Sequence, residues 1–154
     1  MKFEFVSRLG DTTVADGATS KYKLPERATK NAAGYDFYNP EEVTINPGEI
    51  KYVKTGIKAE MPDDMVLLLF NRSSNPKKKG LEVANGVGVI DADYYNNPDN
   101  EGEMAFAFRN TTSEPVTLQP GEKLGQGVFV RWFRVENEDE VETTREGGFG
   151  STGK

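Results

Sequence analysis

The sequence predicts an all-β domain, and three observations carry that reading. Helical periodicity is almost absent. Short runs rich in Val, Ile, Phe, Tyr and Thr recur along the 154 residues, and clusters of Gly, Pro, Asn and Asp separate them. Many short strands at this spacing build a sandwich, a jelly roll or a barrel.

Lys2–Val6 is the first candidate strand, followed by Glu42–Ile45. The turn Asn46-Pro47-Gly48-Glu49 then leads into Ile50–Glu60, and Pro62-Asp63-Asp64 into the apolar run Met65–Phe70. Ser74 to Gly80 has room for at most a short helix, because Pro76 limits where it can start. Val83–Ile90 follows, then the asparagine-rich turn Asn96-Asn97-Pro98-Asp99-Asn100 and the strand Met104–Asn110. Val116–Leu118, the turn Gln119-Pro120-Gly121-Glu122 and Leu124–Val135 complete the series. Residues 1–135 thus read as one β-rich core, 136–144 as an acidic linker and 145–154 as a glycine-rich arm. A free tail and a ligand-ordered arm both fit that last composition.

Composition narrows the chemistry. The 19 Lys and Arg against 25 Asp and Glu give a net charge of −6, which argues against a protein that binds nucleic-acid backbones. A local cluster of Arg and Lys can still hold a small phosphate ligand. There is no cysteine and no histidine, so disulfides, thiolate nucleophiles and cysteine-bearing zinc sites are excluded. A metal should be a hard cation such as Mg²⁺, bound through oxygens and waters. Met1–Phe5 has no signal-peptide pattern and Met65–Phe70 is too short to cross a bilayer, so the expected setting is the cytoplasm.

With neither cysteine nor histidine present, an Asp or Glu is the expected general base near neutral pH. The best-placed candidate is Asp91, in Gly86-Val87-Gly88-Val89-Ile90-Asp91-Ala92-Asp93-Tyr94. An aliphatic run delivers it, so part of its surroundings is expected to be poor in water, and desolvation makes a carboxylate a better base. A turn-capping aspartate is the plain alternative, and a half-buried core residue that for Tyr94. Arg72-Ser73-Ser74, at the end of an apolar run, suits an anion but equally an ordinary loop. Gly148-Phe149-Gly150-Ser151-Thr152-Gly153-Lys154 fits the first part of a phosphate-binding P-loop, but the hydroxyl expected after the lysine is missing. Its glycines would still let successive backbone N–H groups curl around phosphate oxygens.

Taken together and in order, five segments resemble the signature motifs of trimeric dUTPases. They are Ala33-Gly34-Tyr35-Asp36, Arg72-Ser73-Ser74, Gly88 to Tyr94, Gly121-Glu122-Lys123-Leu124-Gly125-Gln126 and Gly147 to Gly153. The asparagine-rich stretch Tyr95–Gly102 is similar to the form found in Gram-positive bacteria and their phages. The resemblance implies a jelly-roll-like subunit in a homotrimer, with the C-terminal arm closing over active sites between subunits. It implies hydrolysis of dUTP to dUMP and diphosphate, with Asp91 activating the attacking water and Mg²⁺ held mainly by the triphosphate. Arg72, Ser73, Ser74 and Gln126 would face the phosphates, and Asn85 with the backbone around Gly88 and Ile90 would read uracil. Tyr94 would pack under the deoxyribose, and Asp36 would anchor the metal through water. Phe149 would stack on the base, Gly150, Ser151 and Thr152 would hold the phosphate end, and Arg145 would act as an arginine finger.

The chain departs from the family pattern in two places. One residue fewer separates Arg145 from the paired glycines, and Gly125 stands where a larger apolar residue is usual. Gly125, with Gly127, is expected to alter packing around the trimer axis. Two rivals remain at this stage: a dCTP deaminase of the same fold, for which no counterpart motif is found, and a phage regulatory protein that binds a repressor.

Overall fold

A computed structural model describes residues 1–10, 22–139, 141 and 147. The elements run β1 (Lys2–Phe5), β2 (Glu26–Arg27), β3 (Tyr35–Tyr38), β4 (Val43–Ile45), β5 (Ile50–Lys54), β6 (Ile57–Glu60) and β7 (Met65–Asn71). They continue with α1 (Ser74–Lys79), β8 (Leu81–Val83), β9 (Gly88–Asp91), β10 (Ala105–Asn110), β11 (Val116–Leu118) and β12 (Lys123–Arg131). Among the described residues no helix is long and apolar enough to cross a membrane.

The largest sheet has the order β2-β3-β12-β7-β9, and the others are β5-β10-β8, β1-β6 and β11-β4. Every described strand pair is antiparallel. Period-2 alternation turns Leu67 and Leu69 of β7 inward, where they meet Phe37, Phe106, Phe108, Leu118 and Leu124. Phe3 of β1 closes this core edge-on against Phe37, with ring centroids 5.5 Å apart. At the other end the carboxylate of Glu103, only 5% exposed, is held by Arg8 at 2.6 Å and by the Gly56 N–H at 2.9 Å. A buried charge paired in this way is costly to unpair, on the order of 3–5 kcal/mol.

Several expected strand boundaries move, each for a local reason. Ile50–Glu60 breaks at Thr55-Gly56, where Gly56 has φ +72°, and the two pieces enter different sheets. Val83–Ile90 breaks at a turn around Gly86, also left-handed at φ +73°. The last strand ends at Arg131 rather than Val135: Arg131 pairs with Met65, the first residue of β7, and beyond it the Trp132 N–H turns to the Asp64 carbonyl at 3.1 Å, in the turn that precedes β7. The short helix forms as expected, with Pro76 in its first turn, where its missing N–H costs nothing. Residues 26–27 and 35–38, outside the candidate strands above, are also strands: they pair with each other, and 35–38 pairs with β12.

Candidate functional site

Two groups of predicted site residues assemble at opposite ends of β7. At its C-terminal end the register places Asp36 of β3 across from Gln126 of β12, and Gln126 across from Phe70 of β7. Arg72 follows β7 directly, and its Nε lies 3.8 Å from Asp36 Oδ1. Lys123 Nζ lies 2.6 Å from Asp36 Oδ2, so the carboxylate sits between two cations. Lys123 stands inside the fourth motif but is not among the site residues that the resemblance implies. Its signal was its place on the strand that carries Gln126.

The loop after β7 is fixed from beneath. Buried Asn75 donates to the Leu124 carbonyl at 2.6 Å and to Asn71 Oδ1 at 2.8 Å, tying the first turn of α1 to β12. Ser73 caps α1 through its backbone alone, with no side-chain hydrogen bond to the helix. Arg72, Ser74, Lys78, Lys79 and Lys123 line a cleft of about 300 Å³ beside this loop. Glu122 is its only acid among the lining residues and pairs with Lys79 at 3.0 Å. Such a concentration of cations on an acidic chain suits a polyphosphate. Gly34 leaves room for the Gln126 side chain, since a Cβ on Gly34 would lie 3.2 Å from Gln126 Cδ and closer still to its oxygen.

At the N-terminal end of β7, β9 forms the edge of the sheet, with Gly88 opposite Leu69, Ile90 opposite Leu67 and Asp91 opposite Val66. Ile90 packs against the core. Alternation then turns Val89 and Asp91 outward, and Val89 is 60% exposed. Asp91 is exposed in the single chain, contrary to the water-poor surroundings expected from its aliphatic neighbours. Asp91 and Asp93 line a cleft of about 290 Å³ with Asp63, Met65, Ala92 and Trp132. Asn85 is exposed in the turn before β9. Tyr94 ends a short 3₁₀ turn after Asp91 and is 6% exposed.

These two groups do not meet within one chain. Asp91 pairs near the start of β7 and Arg72 follows its end, so at ~3.4 Å per residue they stand about 20 Å apart. Arg145, Phe149, Gly150, Ser151 and Thr152 lie outside the described residues. Among the described residues no group of three or more His, Cys, Asp or Glu could hold a metal ion.

The described chain is thus a β-rich subunit with a carboxylate on an edge strand and a cationic cleft at the far end of β7. A family model described as dUTPase matches residues 20–153. The chain is 50% identical over 140 residues to the deoxyuridine 5'-triphosphate nucleotidohydrolase of Lactococcus lactis, covering 87% of this chain and 93% of the relative. Its fold is similar to a crystal structure of dUTPase from Streptococcus mutans, with a TM-score of 0.80 and 44% identity over 89% of this chain and 100% of that one. It is also similar to a mutant dUTPase from phage phi11 of Staphylococcus aureus, in which the coordination of a structural Mg(II) ion is described. That match has a TM-score of 0.65 and 25% identity, covering 81% and 93% of the two chains. The chain belongs to the dUTPase family and is a dUTP nucleotidohydrolase.

Proposed function

We propose that the chain hydrolyses dUTP to dUMP and diphosphate as a homotrimer, each active site taking its base-and-sugar half from one subunit and phosphate contacts from another. The separation of Asp91 from Arg72 by the length of β7 is the observation that carries this reading. A subunit with both halves intact but too far apart for one nucleotide is completed by a neighbour.

The Asp91 carboxylate takes a proton from a water whose oxygen attacks the α-phosphorus. The bond to the β,γ-diphosphate breaks in line, and diphosphate leaves. Asn85 and the backbone around Gly88 and Ile90 read the uracil edge, and the Tyr94 ring supports the deoxyribose. Arg72, Ser73, Ser74 and Gln126 hold the phosphates, with Lys123 beside them. Oriented cations and N–H groups of this kind stabilise charge that develops on the phosphoryl oxygens. Mg²⁺, bound chiefly by the triphosphate, would neutralise charge on the leaving diphosphate. Asp36, with one oxygen 2.6 Å from Lys123 and the other 3.8 Å from Arg72, suits contact with such an ion only through water. Residues 136–144 link the core to an arm, 145–154, that closes over the site. In it Arg145 faces the phosphates, Phe149 covers the base, and Gly150, Ser151 and Thr152 hold the triphosphate end.

The test is diphosphate release from dUTP with Mg²⁺, beside dCTP, dTTP and UTP, for wild type and Asp91→Asn. Selective hydrolysis of dUTP should fall by about 10²–10⁴ in the variant, the range typical of a general base, while dUTP binding is kept. Ammonia release from dCTP would instead point to a deaminase. An Asp91→Asn variant that turns over at the wild-type rate would remove Asp91 as the base.

A further inference from the structure

The asparagine-rich turn is neither an open loop nor a spare surface. Asn97, 5% exposed, donates to the Tyr94 carbonyl and to Asn100 Oδ1, both at 2.8 Å. Its own oxygen accepts from the N–H groups of Asp99 and Asn100 at 3.1 Å. Asn100 Oδ1 also accepts the Gly102 N–H at 3.0 Å. Gly102 has φ +83°, and a Cβ there would stand 2.5 Å from the Tyr94 carbonyl oxygen, so the turn closes directly on the Tyr94 backbone. Outside it, Glu101 accepts from the backbone and hydroxyl of Ser7 and lies 3.6 Å from Lys58.

The turn also grips the far end of the tyrosine. Asn100 Nδ2 donates to the Tyr94 hydroxyl at 2.7 Å, and that hydroxyl donates to the Glu103 carbonyl at 3.1 Å. An aromatic side chain has two rotatable bonds, and bonds at the tip of the ring remove both freedoms. This matters because an apolar wall that can yield rejects an added hydroxyl poorly, by only about 10²-fold. Stiffness, as well as shape, decides how well such a wall excludes a ribose.

We infer that Asn100 is a positioning residue for sugar selection: by fixing the Tyr94 hydroxyl it prevents the ring from retreating before a ribose 2′-hydroxyl. The inference rests on the reading that Tyr94 supports the deoxyribose, and it adds the group that gives that wall its rigidity.

The experiment measures kcat/KM for dUTP and UTP with Mg²⁺ in wild type, Asn100→Ala, Tyr94→Phe and the double variant, with a melting curve for each. The ratio of UTP to dUTP efficiency should rise about fivefold to tenfold in Asn100→Ala, the worth of one buried hydrogen bond. The rise should come mainly through UTP. The double variant should be no less selective than the worse single one, because both remove the same bond. A turn with only a structural role would lower both substrates in proportion. An unchanged ratio in a folded Asn100→Ala, or additive losses in the double variant, would overturn the inference. If Asn100→Ala does not fold, Tyr94→Phe carries the test: an unchanged ratio there refutes it as well. A wild-type enzyme that used UTP as readily as dUTP would remove the Tyr94 wall itself, and with it the proposal.

Discussion

Gly125→Ala should destabilise the protein even though the backbone permits alanine. Gly125 is not among the glycines with positive φ, so the loss would arise from space alone. A Cβ at this position would lie 2.6 Å from Phe106 Cζ, nearer still to an adjacent ring carbon, and 2.7 Å from the Phe70 carbonyl oxygen of the neighbouring strand. Neither can yield easily. Phe106 is 1% exposed, stacked on Phe108 at 5.7 Å and packed edge-on against Phe37 at 5.8 Å. Overpacking of this kind costs ~1–3 kcal/mol, and two rigid neighbours argue for the upper end. The alanine returns ~0.4–1 kcal/mol by restricting the unfolded chain, leaving a net loss of about 2 kcal/mol. For a domain of this size that lowers the melting temperature by roughly 4–8 °C, read by differential scanning at one fixed protein concentration. Phe106→Leu, introduced together with Gly125→Ala, should recover part of the loss, since the two side chains compete for one volume. Gly127→Ala should cost less, because its Cβ would meet the flexible end of Leu67 and the edge of Phe37, each at 2.9 Å. A Gly125→Ala protein that melts at or above the wild type would refute the packing account.

Two further predictions concern pH and metal. Hydrogen bonds from the Ser7 side chain and backbone, with the charge of Lys58, hold the Glu101 carboxyl below the usual glutamate range. A depressed folded-state pKa adds stability above the unfolded-state pKa, and that stability is lost as pH falls through the lower, folded value. Acid melting curves should therefore show the gap between wild type and Glu101→Gln at its full size at neutral pH and shrinking below the usual glutamate range; a gap that widens on acidification would be the wrong sign. Chelation of Mg²⁺ should abolish dUTP turnover yet leave the melting temperature of the nucleotide-free protein unchanged, because in the proposed mechanism the ion is held chiefly by the triphosphate. A fall of several degrees on chelation would reveal a structural ion.

What the sequence made legible was periodic or local. β7 and β10 were readable because their apolar residues form unbroken runs, and α1 because Pro76 can open a helix but not continue one. The division of Ile50–Glu60 was not, since nothing in a β-rich run shows that its halves will pair with different partners, β10 and β1. Asp91 stands out as a candidate by its position after the aliphatic run, but its exposure does not follow from that run. Strand alternation turns Ile90 inward and Asp91 outward, a facing that the aliphatic run alone does not reveal. Lys123 and Asp36 are 87 residues apart in sequence and meet only through the register of β3 and β12, a pairing that local motifs do not encode. Asn100 was visible as a turn residue; its grip on Tyr94 depends on the way that turn folds back.

The surface of the single chain argues in the same direction as its divided site. β9 is a sheet edge whose outward face carries Val89, 60% exposed, and Val87 before it is 37% exposed. Beyond β12, Trp132, Phe133 and Val135 are 40%, 87% and 66% exposed. An uncovered edge and a run of exposed apolar residues are liabilities for a lone subunit, inviting non-specific strand pairing and association. Both lie toward the end of the molecule that carries Asp91: Arg131 pairs with Met65 at the start of β7, and Trp132 lines the Asp91 cleft. The proposed trimer would cover this surface with neighbouring subunits and bring a cationic cleft within reach of Asp91.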